Sequence, residues 1–160
     1  MKIEQIKGRL LLKNPKIIDP LNETETIQDI MLNDGKIEHI GMIDAENDIN
    51  FIDCNGLILT HGFCDLHVHF RDPGNGDKET LKSGCESALA GGFTRVCTMP
   101  NTEPPIDSPE LINYIIESTK NLPVHIHPIG SITKKQAGLE ISEMGLMIES
   151  GAVAFSDDGL

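Results

Sequence analysis

From Gly62 onward the chain keeps one grammar: a short apolar run, then a loop rich in polar, glycine or proline residues, then a helix-patterned segment. The cycle recurs about every thirty residues, which is the mark of consecutive βα units, because parallel neighbours need a crossover between them. The first strand ends near His69, and a polar loop runs from Asp72 to Asp77. Asp77 is the candidate N-cap of a helix reaching to about Ala90, which Gly91-Gly92 stops. The second strand spans Thr94 to Met99. Pro100-Asn101-Thr102-Glu103-Pro104-Pro105 can continue neither strand nor helix and makes a stiff loop at its C-terminal end. Ser108-Pro109-Glu110 then supplies an N-cap, a proline at the first helical position and an acid in the first turn. The helix it opens runs to about Asn121, with Leu111, Tyr114 and Ile115 as inner stripe and Ile112 or Ile116 flanking. A third strand covers Val124 to Ile129, a short helix Ser142 to Glu149 is closed by Gly151, and a fourth strand covers Ala152 to Ser156.

Residues 1–58 follow a different pattern, short apolar runs broken by turn residues, and form a separate β segment ahead of the βα region at 59–160. Asn33-Asp34-Gly35 is a hairpin signal, since Asp-Gly supplies the positive φ that tight turns need. The segment reads as a small antiparallel unit.

The first βα strand carries the chemistry. In extended backbone alternate side chains share a face, so Asp65, His67 and His69 point one way and Cys64, Leu66, Val68 and Phe70 the other. A buried strand would then hold two imidazoles about 6.6 Å apart at Cα, near enough for both to lean onto one ion at about 2.0–2.1 Å. A carboxylate two residues before and an arginine two residues after strengthen the reading as a metal pincer. His125-Ile126-His127 repeats the spacing on the third strand, but Pro128 follows at once and no carboxylate or arginine is arranged around it, so these read as structural histidines.

The run Asp65-Leu66-His67-Val68-His69-Phe70-Arg71-Asp72-Pro73-Gly74 resembles the first signature of the dihydroorotases of the amidohydrolase superfamily. Two further stretches, Gly91 to Pro105 and Gly151 to Gly159, are similar to the next two landmarks of that family, in order and at matching spacing. The resemblance implies the first half of a metal-dependent hydrolase barrel of the TIM (β/α)8 type, preceded by part of a small β-sandwich. Its members are much longer, and a complete barrel takes about 250 residues, so the chain is expected to be an N-terminal part.

The resemblance also implies roles. His67 and His69 would bind zinc, with a third ligand at the end of the fourth strand: a carboxylated lysine in many relatives, an aspartate in the class most like this chain. Ser156-Asp157-Asp158-Gly159 holds no lysine. Asp157, which shares parity with Phe155, is the expected ligand, and Asp158 the alternative. Arg71, a planar fork of donors, and Asn101, an amide on the next loop, would hold the substrate carboxylate. Asp65 is expected to accept a hydrogen bond from a ligand ring. The implied reaction is the zinc-dependent, reversible cyclisation of N-carbamoyl-L-aspartate to L-dihydroorotate in pyrimidine (UMP) biosynthesis. The aspartate that serves relatives as acid/base, and two further metal-binding histidines, lie on later strands, so the isolated chain is expected to turn over little or nothing.

Composition narrows the partners. With 25 acidic against 13 basic side chains the net charge is −12, which argues against nucleic acid or an anionic membrane and fits small soluble substrates. Cys54, Cys64, Cys85 and Cys97 show no Cys-x-x-Cys spacing and read as reduced core thiols. Met1 to Gln5 lacks the apolar run of a signal peptide, and the expected compartment is the cytoplasm. Expected protein partners are a second copy, a complementary C-terminal chain or an aspartate carbamoyltransferase. Competing readings are an allantoinase or hydantoinase, which usually carry the strand-four lysine; a non-catalytic dihydroorotase-like scaffold subunit, which tends to lack the metal histidines; and a plain zinc-binding or flavodoxin-like module.

Overall fold

The computed structural model describes residues 7–44 and 49–159; the Met1 to Gln5 stretch considered above lies outside them. The chain divides into two compact units, Met1–His61 and Gly62–Leu160, three residues later than the change of pattern in the sequence.

Among the described residues the first unit holds seven strands: β1 (Arg9–Lys13), β2 (Lys16–Asp19), β3 (Thr24–Ile27), β4 (Asp29–Asn33), β5 (Lys36–Gly41), β6 (Phe51–Asp53) and β7 (Ile58–Leu59). They form two sheets, ordered β5-β4-β1-β6 and β3-β2-β7. The sequence pattern suggested an antiparallel unit, but β6 pairs with β1 and β7 with β2 in parallel, so the sheets are mixed. Short strands separated by turns show the pattern of each strand but not which distant strand it meets. The β4–β5 hairpin turns through Asp34 (φ 48°) and Gly35 (φ 76°), the pair of positive φ values the Asp-Gly signal calls for. Buried Asp29 accepts the main-chain N–H groups of Asn14 and Ile43, tying two connections to the start of β4.

The second unit is a four-stranded parallel sheet, β8 (Phe63–Val68), β9 (Phe93–Thr98), β10 (His125–Gly130) and β11 (Ala154–Phe155), whose strands lie side by side in chain order. Helices α1 (Leu81–Ala90), α2 (Pro109–Thr119) and α3 (Met144–Glu149) form the crossovers. This is the run of βα units the sequence implies, the first half of a (β/α)8-type architecture. Its core packs Val96 and Ile126 of the sheet, with Val124 just ahead of β10, against Leu81, Cys85, Ile112, Ile115 and Met147 of the helices. Each fully buried Ile or Leu contributes roughly 1.5–3 kcal/mol.

Several details differ from the sequence pattern. The N-cap of α1 is Thr80, not Asp77: the Thr80 hydroxyl accepts from the Ser83 N–H while Ser83 Oγ accepts from the Thr80 N–H, a closed capping box. The buried stripe of α2 is Ile112, Ile115 and Thr119, while Tyr114 stays 42% exposed. Helix periodicity allowed either face, and contact with β10 and α3 selects this one. Strand β8 is largely exposed rather than buried because it is the edge of the sheet, and Cys64 is exposed with it while the other three thiols are buried.

What β8 lacks in burial along its length it gains at its end. Phe70, 5% exposed, fills the space over Gly84 of α1, where a Cβ would fall 2.3 Å from the ring. The residue after His69 is thus a plug that fixes where the strand stops. The loops after β8 and β9 are joined in turn: Met99 N–H donates to Val68 O, and Glu103 N–H to Pro73 O. Gly74 (φ 99°) lies so close to Glu103 that any side chain there would strike its carbonyl.

Candidate metal centre

The register of β8 against β9 slips between Asp65 and Val68. At the slip Asp65 Oδ1 accepts the main-chain N–H of His67 at 3.0 Å, which turns the strand out of strict alternation. His67 and His69 nevertheless meet: their Nε2 atoms are 3.1 Å apart and their rings edge-on, with centroids 4.9 Å apart. Asp158 arrives from beyond β11, placing Oδ1 3.1 Å from His67 Nε2 and Oδ2 3.7 Å from His69 Nδ1.

Metal-to-donor bonds of 2.0–2.1 Å in tetrahedral geometry put neighbouring donors about 3.3 Å apart. The 3.1 Å separations of His67 Nε2 from both other donors match that spacing. Two imidazoles and a carboxylate are a nitrogen and oxygen set suited to a borderline divalent ion, and three protein ligands leave a position open. The residues present therefore fit a metal ion. His67, His69 and Asp158 are the cluster of this kind found among the described residues.

The two aspartates stand in the reverse of the expected arrangement. Asp157 accepts from Ile132 N (2.9 Å), Thr133 N (3.1 Å) and Thr133 Oγ1 (2.7 Å), and so braces the segment after β10. Burial pushes its carboxyl up, but the donors outweigh that and hold it below the usual carboxylate range. Parity with Phe155 misleads because β11 ends at Phe155 and Asp158 takes a left-handed φ of 52°, so the extended alternation is broken where it was being counted. Aspartate tolerates that conformation, and it turns Asp158 back toward the histidines.

The structure brings Asn101 to the cluster as well. Its Oδ1 lies 2.9 Å from His69 Nδ1. Asp65, the acceptor the sequence pattern suggests for a ligand ring, is occupied by the main chain of His67, and the loop after β9 passes beside His69 instead. Only the pairing of β8 with β9 reveals it. Asp65 and His69 also line a pocket of about 280 Å³ on the α1 side of β8, with Glu79, Ser87 and Phe93 among its walls. Arg71 sits half-buried in the loop after β8, and its guanidinium makes no hydrogen bond or ion pair among the described residues. Tyr114 donates to Asp72 Oδ1 at 2.9 Å, tethering that loop to α2, and the carboxylate raises the phenol above its ordinary range.

His125 and His127 lie outside the centre. His127 Nε2 faces Arg95 Nη1 at 3.4 Å, and burial first, then that cation, push the imidazole below its usual range. The sequence pattern places no arginine beside this pair, but the pairing of β9 with β10 brings Arg95 to His127, and a neighbouring cation opposes a second positive charge there.

A family model described as dihydro-orotase-like matches residues 56–160. Among curated relatives, the dihydroorotase of Solibacter usitatus is 41% identical over 152 residues, 94% of this chain and 35% of its own length. That of Aquifex aeolicus is 43% identical over 152 residues, 94% of this chain and 36% of its own length. Among solved structures, an L-hydantoinase (dihydropyrimidinase) from Arthrobacter aurescens superposes with a TM-score of 0.72 at 25% identity, covering 94% of this chain and 32% of the other. The chain thus spans about a third of the length of the proteins it matches. No helix among the described residues is long and apolar enough to cross a membrane. The chain belongs to the dihydro-orotase-like family of amidohydrolases.

Proposed function

We propose that this chain supplies the metal-binding wall and the carboxylate clamp of a zinc-dependent dihydroorotase, interconverting N-carbamoyl-L-aspartate and L-dihydroorotate. The observation that carries the reading is the convergence of His67 Nε2, His69 Nε2 and Asp158 Oδ1 at the C-terminal ends of the parallel strands, the end at which barrel enzymes place their chemistry. His67, His69 and Asp158 would hold the ion, while Asp157 braces residues 132–133. Zinc, when bound, would lower the pKa of water and polarise a carbonyl for attack.

The remaining work belongs to side chains. Arg71, without a partner among the described residues, offers a two-pronged donor to a substrate carboxylate. Asn101 offers its amide N–H groups from the adjoining loop, and the contact of that loop with Gly74 and Pro73 keeps the two clamp residues at a fixed separation. Both substrates carry a carboxylate and so suit this pair.

A hydantoinase is the second reading, favoured by the superposition on the Arthrobacter enzyme. Against it stands Ser156-Asp157-Asp158-Gly159, which offers no lysine to carry a bridging carboxylate. The test has two parts. The chain itself should retain zinc through chelating resin, and the double variant His67→Ala/His69→Ala should lose it; retention by the variant refutes the centre. The chain extended to the full length of its relatives should turn over dihydroorotate at least 100-fold faster than hydantoin, and the opposite preference would establish the second reading.

A further inference from the structure

We propose that Asn101 is a positioning residue of the metal centre, its amide oxygen holding His69 in the one neutral tautomer that can bind an ion there. A neutral imidazole carries a single N–H, and an amide oxygen can only accept. The 2.9 Å contact between Asn101 Oδ1 and His69 Nδ1 therefore puts the proton on Nδ1 and leaves a lone pair on Nε2. Nε2 is the atom that stands 3.1 Å from His67 Nε2, inside the cluster. The other nearby acceptor for Nδ1, Asp158 Oδ2, lies at 3.7 Å, beyond hydrogen-bond reach. Histidine in water favours the opposite tautomer, with the proton on Nε2, so an unassisted His69 would present an N–H to the ion.

The loop is built to hold the amide still. Pro100 is fully buried, and its carbonyl accepts from both Thr102 N and Ile106 N. Thr102 Oγ1 donates to Pro104 O at 2.7 Å, and Met99 N–H is bonded to Val68 O beside His69. A residue fixed at both flanks can dictate a proton position on its neighbour. The role adds to the clamp role, since the amide nitrogen and its two N–H donors remain to face substrate. One amide would thus join the ion to the carboxylate.

The inference rests on the reading of this centre as a metal site, but the tautomer belongs to the metal-free chain and is measured without zinc. Long-range proton–nitrogen NMR of the metal-free chain at pH 9 should show His69 with a protonated Nδ1, assigned by comparison with His69→Gln. In Asn101→Leu, which keeps the bulk and removes the acceptor, the Nε2–H form should become the major one, and zinc affinity by chelator competition should fall about 10- to 100-fold. Asn101→Asp, which keeps an acceptor oxygen, should retain the Nδ1–H form and bind zinc within about threefold of the parent or tighter. A parent-like tautomer in the leucine variant would overturn the proposal, and so would equal losses in both variants, which would mean only a disturbed loop. A parent whose His69 shows the stated tautomer but which binds no zinc would refute the metal reading and leave the tautomer assignment standing.

Discussion

Exchanging the two adjacent aspartates for alanine, one at a time, should separate folding from metal binding. Asp157 receives three hydrogen bonds, from Ile132 N, Thr133 N and Thr133 Oγ1. A bond to a charged acceptor is worth roughly 1.5–3 kcal/mol when buried, and about 1 kcal/mol where water can replace it, as around this partly exposed group. Asp157→Ala should therefore destabilise the second unit by about 2–3 kcal/mol. With a urea dependence of roughly 1–3 kcal/mol per molar, the midpoint falls by about 0.7–3 M. Asp158 donates its main-chain N–H to Ser156 Oγ, a contact alanine keeps, and its side chain faces the two imidazoles. Asp158→Ala should cost only about 1 kcal/mol of unfolding free energy, the strain of alanine at the left-handed φ of 52°, and weaken zinc binding by more than the roughly 10- to 100-fold that loss of a supporting partner costs. Tyr114 is the single tyrosine of a chain without tryptophan, so its fluorescence reports on α2 alone. The reasoning fails if Asp157→Ala unfolds at the parental urea concentration, or if it loses zinc while Asp158→Ala keeps it.

Three further outcomes follow from the same contacts. Gly84→Ala should cost about 1–3 kcal/mol in urea unfolding, because its Cβ would lie 2.3 Å from Phe70, and Gly84→Ala/Phe70→Leu should recover part of the loss. The depressed folded pKa of Asp157 means that the unfolded chain binds more protons in that range, so its contribution to stability is complete above the unfolded carboxylate value of about 3.9 and is lost as pH falls through the folded value. The gap in urea midpoint between parent and Asp157→Asn should accordingly shrink between pH 6 and pH 3; a gap that widened on acidification would contradict the assignment. Tyr114→Phe should free the loop carrying Arg71 from α2 and show as faster amide exchange at residues 72–75, measured by hydrogen exchange with mass spectrometry.

How much of this was legible in the sequence depends on the range of the contact involved. The βα rhythm and the Asp-Gly hairpin are local signals with counterparts in the structure, and the two rings of the His-x-His motif, also a local signal, meet at 3.1 Å. The sequence pattern points to Asp77 as the N-cap of α1, three residues before Thr80, because an isolated aspartate competes on equal terms with Thr80 until Ser83 closes the box. The choice between Asp157 and Asp158 turned on one backbone conformation, and parity presumes that the chain stays extended. The Asn101 to His69 contact spans neighbouring strands, and no residue pattern along a single strand encodes it.

The donors of the centre come from the first and the last strands of the second unit, so an ion held by His67, His69 and Asp158 would fasten together the two ends of that unit. The segments between them are ones the unfolded chain would have to bring back into proximity, at an entropic cost that grows with the logarithm of the loop. Zinc should on this account act as a tether, raising the melting temperature of the second unit in proportion to the logarithm of its free concentration and coupling the arrival of the last strand to the capture of the metal.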